Sequence, residues 1–382
     1  MSNTLIYLDN NATTAVAPEC IEAMTQCLRE HYGNPSSKHA AGEAAKSRTL
    51  AARAQVAALL GASPAEIVFT SGGTEAIHQA ILGGLALAPG KRRVVTSQVE
   101  HPATLMLLKH LETQGLEVIY LPVDGRGQLD LGELEESITA DTALVTLMWA
   151  NNETGVLFPI QEAAALAAAK GVLIHCDAVQ AAGKVPVDLK KVPLDFLSLS
   201  GHKLHAPKGI GALFVRKGRK VPPLLFGHQE RGRRGSTENV PAIAALGVAA
   251  ELAAAGLEAH EARVAGLRDR LEEGLLARMP QASVTGAGAR RLAGTSSLNL
   301  GRIEAEILLD KLDKAGICAS AGAACSATGT EPSHVLLAMG LTPEAALSTI
   351  RFSLGRYNTE AEVDQVIRLL PGIVQGLMAE AA

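Results

Sequence analysis

A turn of small residues lies at a predicted strand-to-helix junction of this 382-residue chain, where residues 70–76 read TSGGTEA. Gly72 and Gly73 allow the backbone to turn sharply, and Thr74 offers both an N–H and a hydroxyl at the start of a helix. That arrangement suits the binding of a phosphate group. Taken alone, such a turn is more often only a connection between two elements, so it needs support from elsewhere in the chain.

An acid stands at the end of an apolar run in the motif HCDAVQ, residues 175–180. A buried carboxylate such as that of Asp177 needs a cationic or hydrogen-bonding partner. The protonated nitrogen of a pyridine ring would serve. A helix N-cap is the alternative interpretation of the same residue.

A lysine follows the next apolar run in SLSGHKLHAPKG, residues 198–209. Loops at such a point converge on a cleft, where Lys203 is poorly explained as a solvated surface charge. A lysine amine forms Schiff bases with aldehydes once its surroundings lower its pKa. Ser200 and His202 could reach the same phosphate.

Two further polar side chains follow strands. His101, in VEHP, could stack on a flat ring and move protons near neutral pH, although a structural histidine before a proline is the commoner case. Asn152 lies in WANNETG and is unremarkable singly. Jointly, the anion-binding turn, the stacking histidine, the acid, the amine and the polar ring contact predict a pocket for pyridoxal 5'-phosphate (PLP).

Short β-rich runs alternate with alanine-rich helical stretches, which predicts an α/β domain with a seven-stranded, mainly parallel sheet. Ligands of such sheets bind beyond the carboxyl ends of the strands, where the motifs above lie. The predicted lobes are a large one over 16–257 and a smaller αβ one built from 1–15 and 258–382. The predicted strands of the large sheet are Ile67–Thr70, Val94–Ser97, Val118–Leu121, Leu144–Trp149, Val172–Asp177, Phe196–Ser200 and Ala212–Arg216.

The chain resembles the cysteine desulfurases of the NifS/IscS type almost from end to end, from YLDNNATT at 7–14 to RFSLGRYN at 351–358. The resemblance implies the PLP-dependent fold type I of the aspartate-aminotransferase group. The chain departs from the family pattern at three positions. Gly73 stands where alanine is common, and Ser236 stands where glycine is common. Only Gly227 precedes His228, where the family usually has two or three glycines.

The resemblance also implies roles for individual residues. Lys203 would carry the cofactor, His101 would stack on its ring, Asp177 would face the ring nitrogen, and Arg351 would clamp the substrate carboxylate. Asn152 would contact both cofactor and substrate. The remaining cofactor contacts implied are Gln180 at the ring, Gly73, Thr74, Ser200, Gly201 and His202 at the phosphate, and Thr237 at the phosphate of a neighbouring subunit, which implies a homodimer.

The segment SAGAACSATGTEPSHVLLAMG, residues 320–340, resembles the cysteine loop of these desulfurases, in which Cys325 is the nucleophile. Its small polar composition suits an accessible thiol. We expect structural roles for the other four cysteines, Cys20, Cys27, Cys176 and Cys318. No metal site is predicted, save that Cys325 is a candidate transient ligand of an iron–sulfur cluster.

The predicted reaction turns L-cysteine into L-alanine and a persulfide on Cys325, for an iron–sulfur scaffold or another sulfur-acceptor protein. Supply of nitrogenase clusters is the first choice, and general iron–sulfur assembly with tRNA thiolation is the alternative. A class-V aminotransferase, a selenocysteine lyase and a scaffold without catalysis are rival hypotheses. Near-balanced charge, with 35 basic and 39 acidic residues, predicts neither a nucleic-acid nor a membrane partner. The absence of a signal-like opening predicts a cytoplasmic protein.

Overall fold

The computed structural model describes residues 5–321 and 331–380. The strands in chain order are β1 (Ile6–Tyr7), β2 (Ile67–Thr70), β3 (Arg93–Ser97), β4 (Glu117–Leu121), β5 (Thr142–Met148), β6 (Leu173–Asp177), β7 (Phe196–Ser200), β8 (Gly211–Val215), β9 (Ser283–Val284), β10 (Thr295–Asn299), β11 (Ile317–Cys318), β12 (Ser320–Ala321) and β13 (Thr349–Ser353). The helices are α1 (Pro18–Glu30), α2 (Ala40–Leu60), α3 (Gly73–Leu87), α4 (Pro102–Glu112), α5 (Leu131–Ser137), α6 (Ile160–Ala169), α7 (Gln229–Gly232), α8 (Val240–Ala255), α9 (Leu257–Leu276), α10 (Ala305–Lys314), α11 (His334–Ala338), α12 (Pro343–Leu347) and α13 (Glu360–Glu380).

The large sheet has seven strands in the order β2-β8-β7-β6-β5-β3-β4. All neighbouring pairs are parallel except those that β8 makes with β2 and β7. Every residue of β5 to β8 is buried, as expected where helices cover both faces of a sheet. The predicted seven-stranded, mainly parallel sheet is therefore confirmed, and strand ends were misplaced by one or two residues at most.

The strand directions bring the predicted motifs to one edge of this sheet. Strands β3, β5, β6 and β7 run parallel to one another, and β2 runs parallel to β7 because both are antiparallel to β8. Their carboxyl ends therefore share one edge, which is where ligands of open α/β sheets bind.

The remaining strands form a four-stranded sheet, β12-β13-β10-β9, and the parallel pair β1-β11. A separate hydrophobic cluster joins Ile6 and Leu8 of the N-terminal segment to apolar residues of α9, α10 and α13. This cluster supports the division into lobes at 16–257 and at 1–15 with 258–382, which stays a prediction.

The N-terminal segment crosses between the two cores. The N–H of Asn10 donates to the carbonyl of Ser353 in β13 (3.1 Å), and the N–H of Thr14 donates to the carbonyl of His202 after β7 (3.0 Å). Residues 9–14 are thus fixed at both ends beside the carboxyl edge of the large sheet.

Helix α8 is apolar over most of its surface, as expected for a helix that packs against both α1 and α2. Within residues 5–321 and 331–380, no single helix is long and apolar enough to cross a membrane. Helices α8 and α9 reach that length and composition only as a pair, across a bend of 77°.

Candidate active site

A cavity of about 370 Å³ opens at the carboxyl edge of the large sheet. Most of the residues predicted for the site line it, although they come from distant parts of the chain. They are Gly73, Thr74, His101, Asn152, Asp177, Gln180, Ser200, His202, Lys203 and Arg351.

Helix α3 begins at Gly73, where the chain leaves β2 and approaches two other loops. A Cβ atom added to Gly73 would lie 2.9 Å from Cγ2 of Val179 and 3.4 Å from Cβ of Ser200. The first N–H groups of a helix have no partner within it and carry the positive end of its dipole. The backbone here therefore forms a close-fitting cradle for an anion, with the Ser200 side chain on its opposite wall.

Asp177 ends β6 and is buried at the cavity wall. Its Oδ1 accepts a hydrogen bond of 2.9 Å from the N–H of Val179. Burial raises the pKa of Asp177 to about 6, although that hydrogen bond and the charge of Lys203 act in the opposite direction. A buried carboxyl with a raised pKa is stabilised in its charged form by a cation, so a protonated ring nitrogen fits this position.

Lys203 lies in the 3-10 turn Gly201–Lys203 that follows β7. Its Nζ donates hydrogen bonds to the carbonyls of Asn11 and Ala12, the latter at 2.7 Å. The side chain of Lys203 thereby points to the place where the N-terminal segment closes the cavity.

His101 caps α4, and its Nδ1 accepts a hydrogen bond of 3.1 Å from the N–H of Ala103. A neutral ring with Nδ1 as acceptor carries its proton on Nε2. Burial lowers the pKa of His101 to about 4, helped by the charges of Lys203 and His334. The ring is therefore uncharged at neutral pH, the form that stacks on another ring most readily.

Arg351 projects from β13 of the small sheet into the cavity wall. Its guanidinium donates to Oδ1 of Asp9 (2.8 Å) and to the carbonyl of Asn152 (3.0 Å). The buried Nε of Arg351 has no acceptor among the described residues. A bound carboxylate would give this Nε its acceptor, as expected if Arg351 binds the carboxylate of the substrate.

Asn11 is a contact that the sequence analysis missed. Its carbonyl accepts from Lys203 and from Nε2 of Gln180 (2.9 Å), and its Nδ2 donates to the carbonyl of Asn152 (3.1 Å) and to Oγ1 of Thr295 (2.9 Å). One buried residue thus holds three predicted site residues to the small lobe, Lys203 and Gln180 through its backbone carbonyl and Asn152 through its side chain. The only signal in the sequence is the polar run Asp-Asn-Asn directly after an apolar strand.

Two fully buried carboxyls next to predicted site residues were also missed. Oε1 of Glu100 accepts from Oγ of Ser97 (2.8 Å) and from the N–H of Met148 (2.9 Å), and burial raises the pKa of Glu100 to about 8. Burial raises the pKa of Glu153 to about 7, although a hydrogen bond from Ser333 lowers it. Their neighbours His101 and Asn152 could be predicted from the sequence because both side chains suit contacts with a cofactor ring. The burial of a glutamate has no comparable local sequence pattern.

Two predicted phosphate contacts do not line this cavity. The N–H of Gly201 donates to the carbonyl of Ile210 (2.9 Å), so it is taken up within the protein. Thr237 is exposed in the loop before α8. The preceding Ser236 has a φ of 90°, a backbone conformation that favours glycine. This conformation accords with the glycine that is common at this position in the family.

Cys325, the predicted nucleophile and candidate iron–sulfur ligand, lies outside the described residues. Among the described cysteines, Cys20, Cys27 and Cys176 are buried and Cys318 is partly buried. Burial raises the pKa of all four thiols, that of Cys20 to about 11. In the described part of the chain, no group of three or more His, Cys, Asp or Glu side chains is placed to hold a metal ion.

Comparison with known proteins places this chain and its fold in one family. The aminotransferase class-V family model matches residues 6–366. A cysteine desulfurase of Trichormus azollae is 54% identical over 377 residues, which cover 98% of this chain and 94% of that protein. The cysteine desulfurase NifS of Azotobacter vinelandii is 51% identical over 374 residues, covering 97% and 93%. Among solved structures, a NifS-like protein has a TM-score of 0.92 at 38% identity and covers 98% of this chain and 100% of its own.

The chain belongs to the class-V aminotransferase family, and its resemblance to the NifS/IscS-type desulfurases is confirmed. It is a PLP-dependent enzyme of the cysteine desulfurase type, with the predicted fold type I. The cavity fits this cofactor because an anion cradle, a buried acid and an amine surround one space.

Proposed function

We propose that this enzyme removes sulfur from free L-cysteine, releases L-alanine and holds the sulfur as a persulfide on Cys325. The observation that carries the proposal is the convergence of Lys203, Asp177, His101 and Arg351 on one cavity. The raised thiol pKa values of the four described cysteines favour Cys325 as the nucleophile by contrast.

The site residues divide the binding of cofactor and substrate among them. Bound PLP supplies an aldehyde for amines and a ring that accepts electrons from the substrate Cα. The start of α3 with Ser200 holds the phosphate, Asp177 holds a proton on the ring nitrogen, and His101 covers the ring. Arg351 orients cysteine through its carboxylate.

The same residues move the protons of the reaction. Lys203 takes the proton from Cα of the bound cysteine, and the thiolate of Cys325 then attacks the substrate sulfur. The C–S bond breaks, its electron pair stays on Cβ, and Cβ takes up a proton. Lys203 returns a proton to Cα, which completes alanine. Cysteine and one thiol thus become alanine and one persulfide, without an outside oxidant or reductant. His101 lines the same cavity and carries the proton between substrate and nucleophile in this proposal.

The enzyme acts as a homodimer in this proposal, with Thr237 reaching the phosphate of the neighbouring subunit's cofactor. The loop before Thr237 is anchored firmly, because buried Glu230 accepts two hydrogen bonds from Arg53, at 2.6 and 2.7 Å, and one from the N–H of Phe69 at 3.2 Å. Phe226 in the same loop is 87% exposed. A fixed loop with an exposed aromatic side chain suits a subunit contact.

The sulfur passes to an iron–sulfur scaffold or another acceptor protein in the cytoplasm, first of all for nitrogenase clusters. The name NifS of one close relative supports that pathway, and general iron–sulfur assembly with tRNA thiolation is its alternative. Expression in a diazotroph that lacks its own nitrogenase-cluster desulfurase should restore growth on dinitrogen. Restored tRNA thiolation without such growth would favour the general pathway.

Replacement of Cys325 tests the reaction itself. Cys325→Ala should retain PLP and its first spectral change with cysteine, because neither step uses the thiol, but it should form no alanine. Cys318→Ala is the matched control and should turn over normally. After a cysteine pulse, mass spectrometry should find one extra sulfur on the peptide holding Cys325. Extra sulfur on Cys318 or Cys176, or normal alanine production by Cys325→Ala, would refute the proposal.

A further inference from the structure

A second lysine meets Lys203 across Asn11. Nζ of Lys184 donates to Oε1 of Gln180 (3.0 Å) and to Oδ1 of Asn11 (3.5 Å). The carbonyl of the same Asn11 accepts from Lys203 and from Nε2 of Gln180. The two amines therefore lie on either side of one asparagine, joined by hydrogen bonds to it.

Lys184 bonds the oxygen ends of two side-chain amides. An ammonium group only donates, so the side-chain oxygens of Gln180 and Asn11 must face it. Their NH2 groups then face away from Lys184: that of Gln180 toward the carbonyl of Asn11, and that of Asn11 toward the carbonyl of Asn152 and Oγ1 of Thr295. The carbonyls of Asn11 and Asn152 only accept, so they hold the two NH2 groups in place, and loss of Lys184 would remove the donor that bonds the two amide oxygens.

Lys184 lies outside the cavity that holds the cofactor. It lines a second cavity of about 50 Å³, whose wall shares only Asn11 and Lys203 with the first. Burial lowers the pKa of Lys184 to about 7, as do the charges of Lys203 and Arg351, whereas Glu261 raises it. The charged and titratable groups that surround it are His202, Lys203, His205, His260, Glu261, Arg351 and Arg356.

We infer that Lys184 is a positioning residue of this active site. Its ammonium group anchors the amide oxygens of Gln180 and Asn11, and its positive charge opposes a second positive charge on the nitrogen of Lys203. The inference rests on the proposed roles of Lys203 and Gln180 toward PLP. It adds a residue that touches neither cofactor nor substrate and acts through two that line their cavity.

The charge has a consequence that can be measured. Lys203 acts as a base only while its nitrogen is unprotonated, and a neighbouring cation favours that state. The opposition is complete only well below pH 7, where Lys184 is fully charged, and it fades as the pH rises through about 7. Removal of Lys184 should therefore make protonation of the Lys203 nitrogen easier.

The test is a pH titration of the visible absorption of the lysine-bound cofactor in the holoenzyme. In Lys184→Met, the midpoint should rise by about one pH unit. The variant should also release PLP about tenfold faster, because the Gln180 amide loses the hydrogen bond to its oxygen and keeps only the one to the Asn11 carbonyl. Lys184→Arg keeps the charge and the donors, so its midpoint should resemble that of the wild type. Lys184→Gln keeps a donor but no charge, so its midpoint should rise as that of Lys184→Met does.

Lys191→Met is the control, since this side chain is 79% exposed, and it should change neither quantity. Identical midpoints and PLP release in Lys184→Met and the wild type would overturn the inference, as would equal midpoint shifts in the Arg and Gln variants. If the Met variant does not fold, the comparison of Arg with Gln decides. A wild-type enzyme without a lysine-dependent absorption band would instead refute the proposed function.

Discussion

The hydroxyl of Ser333 donates a hydrogen bond of 2.5 Å to Oε2 of Glu153, and both residues are buried. Glu153 follows Asn152 at the cavity wall, and Ser333 lies three positions after the segment 322–330, which contains Cys325. The pair therefore ties the chain just beyond that segment to the wall of the active site.

Loss of this contact should destabilise the protein. Ser333→Ala leaves a buried carboxyl without its donor and removes the hydroxyl that caps α11, so unfolding should be easier by about 2 kcal/mol. Ser333→Thr keeps the hydroxyl and is the control. Urea unfolding of both variants provides the measurement, and equal midpoints for Ser333→Ala and the wild type would show that the hydrogen bond contributes nothing.

Lys203→Ala should abolish turnover, because no amine remains to bind the cofactor covalently or to take the proton from Cα. The rate should fall by at least about 10²–10⁴-fold, and the visible absorption of the lysine-bound cofactor should be absent. The exposed Lys191→Ala serves as control. Full activity of the Lys203 variant would mean that another amine occupies the site.

Asp177→Asn should reduce the rate far more than the stability. The amide oxygen can still accept from the N–H of Val179, so local structure persists, whereas the ring nitrogen loses the charge that keeps it protonated. Asp177→Ala should in addition retain PLP poorly. Turnover, retained cofactor and melting temperature are measured together, and near-normal turnover of either variant would show that a different group faces the ring.

Glu100 should make stability depend on pH. Burial raises its pKa from 4.5 to about 8 in the folded protein, so the folded chain holds a proton that the unfolded chain has lost. Stability should therefore fall as pH rises between about 4.5 and 8, by a few kcal/mol in total. Glu100→Gln should flatten this slope, whereas the exposed Glu136→Gln should not. Parallel slopes for Glu100→Gln and the wild type would contradict the raised pKa.

Local patterns were sufficient to predict the large sheet. Its strands are continuous apolar runs that end in polar motifs, and a parallel sheet places all such ends at one edge. For this reason His101, Asp177 and Lys203 could be assigned to one site before any coordinates were considered. Their roles there remain predictions for the variants above to test.

The contacts from the rest of the chain had no comparable pattern. Asn11 and Arg351 come from the two ends of the sequence, and they meet at Asn152 only because the N-terminal segment crosses between the lobes. In the sequence Lys184 is an ordinary charge in a turn, and only its bonds to Gln180 and Asn11 connect it to the site.

The sequence by itself determined the family and the cofactor and predicted the chemistry-bearing side chains, because each of these depends on residue types within short motifs. The tertiary structure alone decided which polar groups hold those side chains in place, and which carboxyls and amines are buried beside them. Hydrogen bonds and desolvation act over a few ångströms in space, whatever the separation along the chain. That is why the raised pKa values of Glu100 and Glu153, and the contact of Lys184 with Asn11, appear only once the chain is folded.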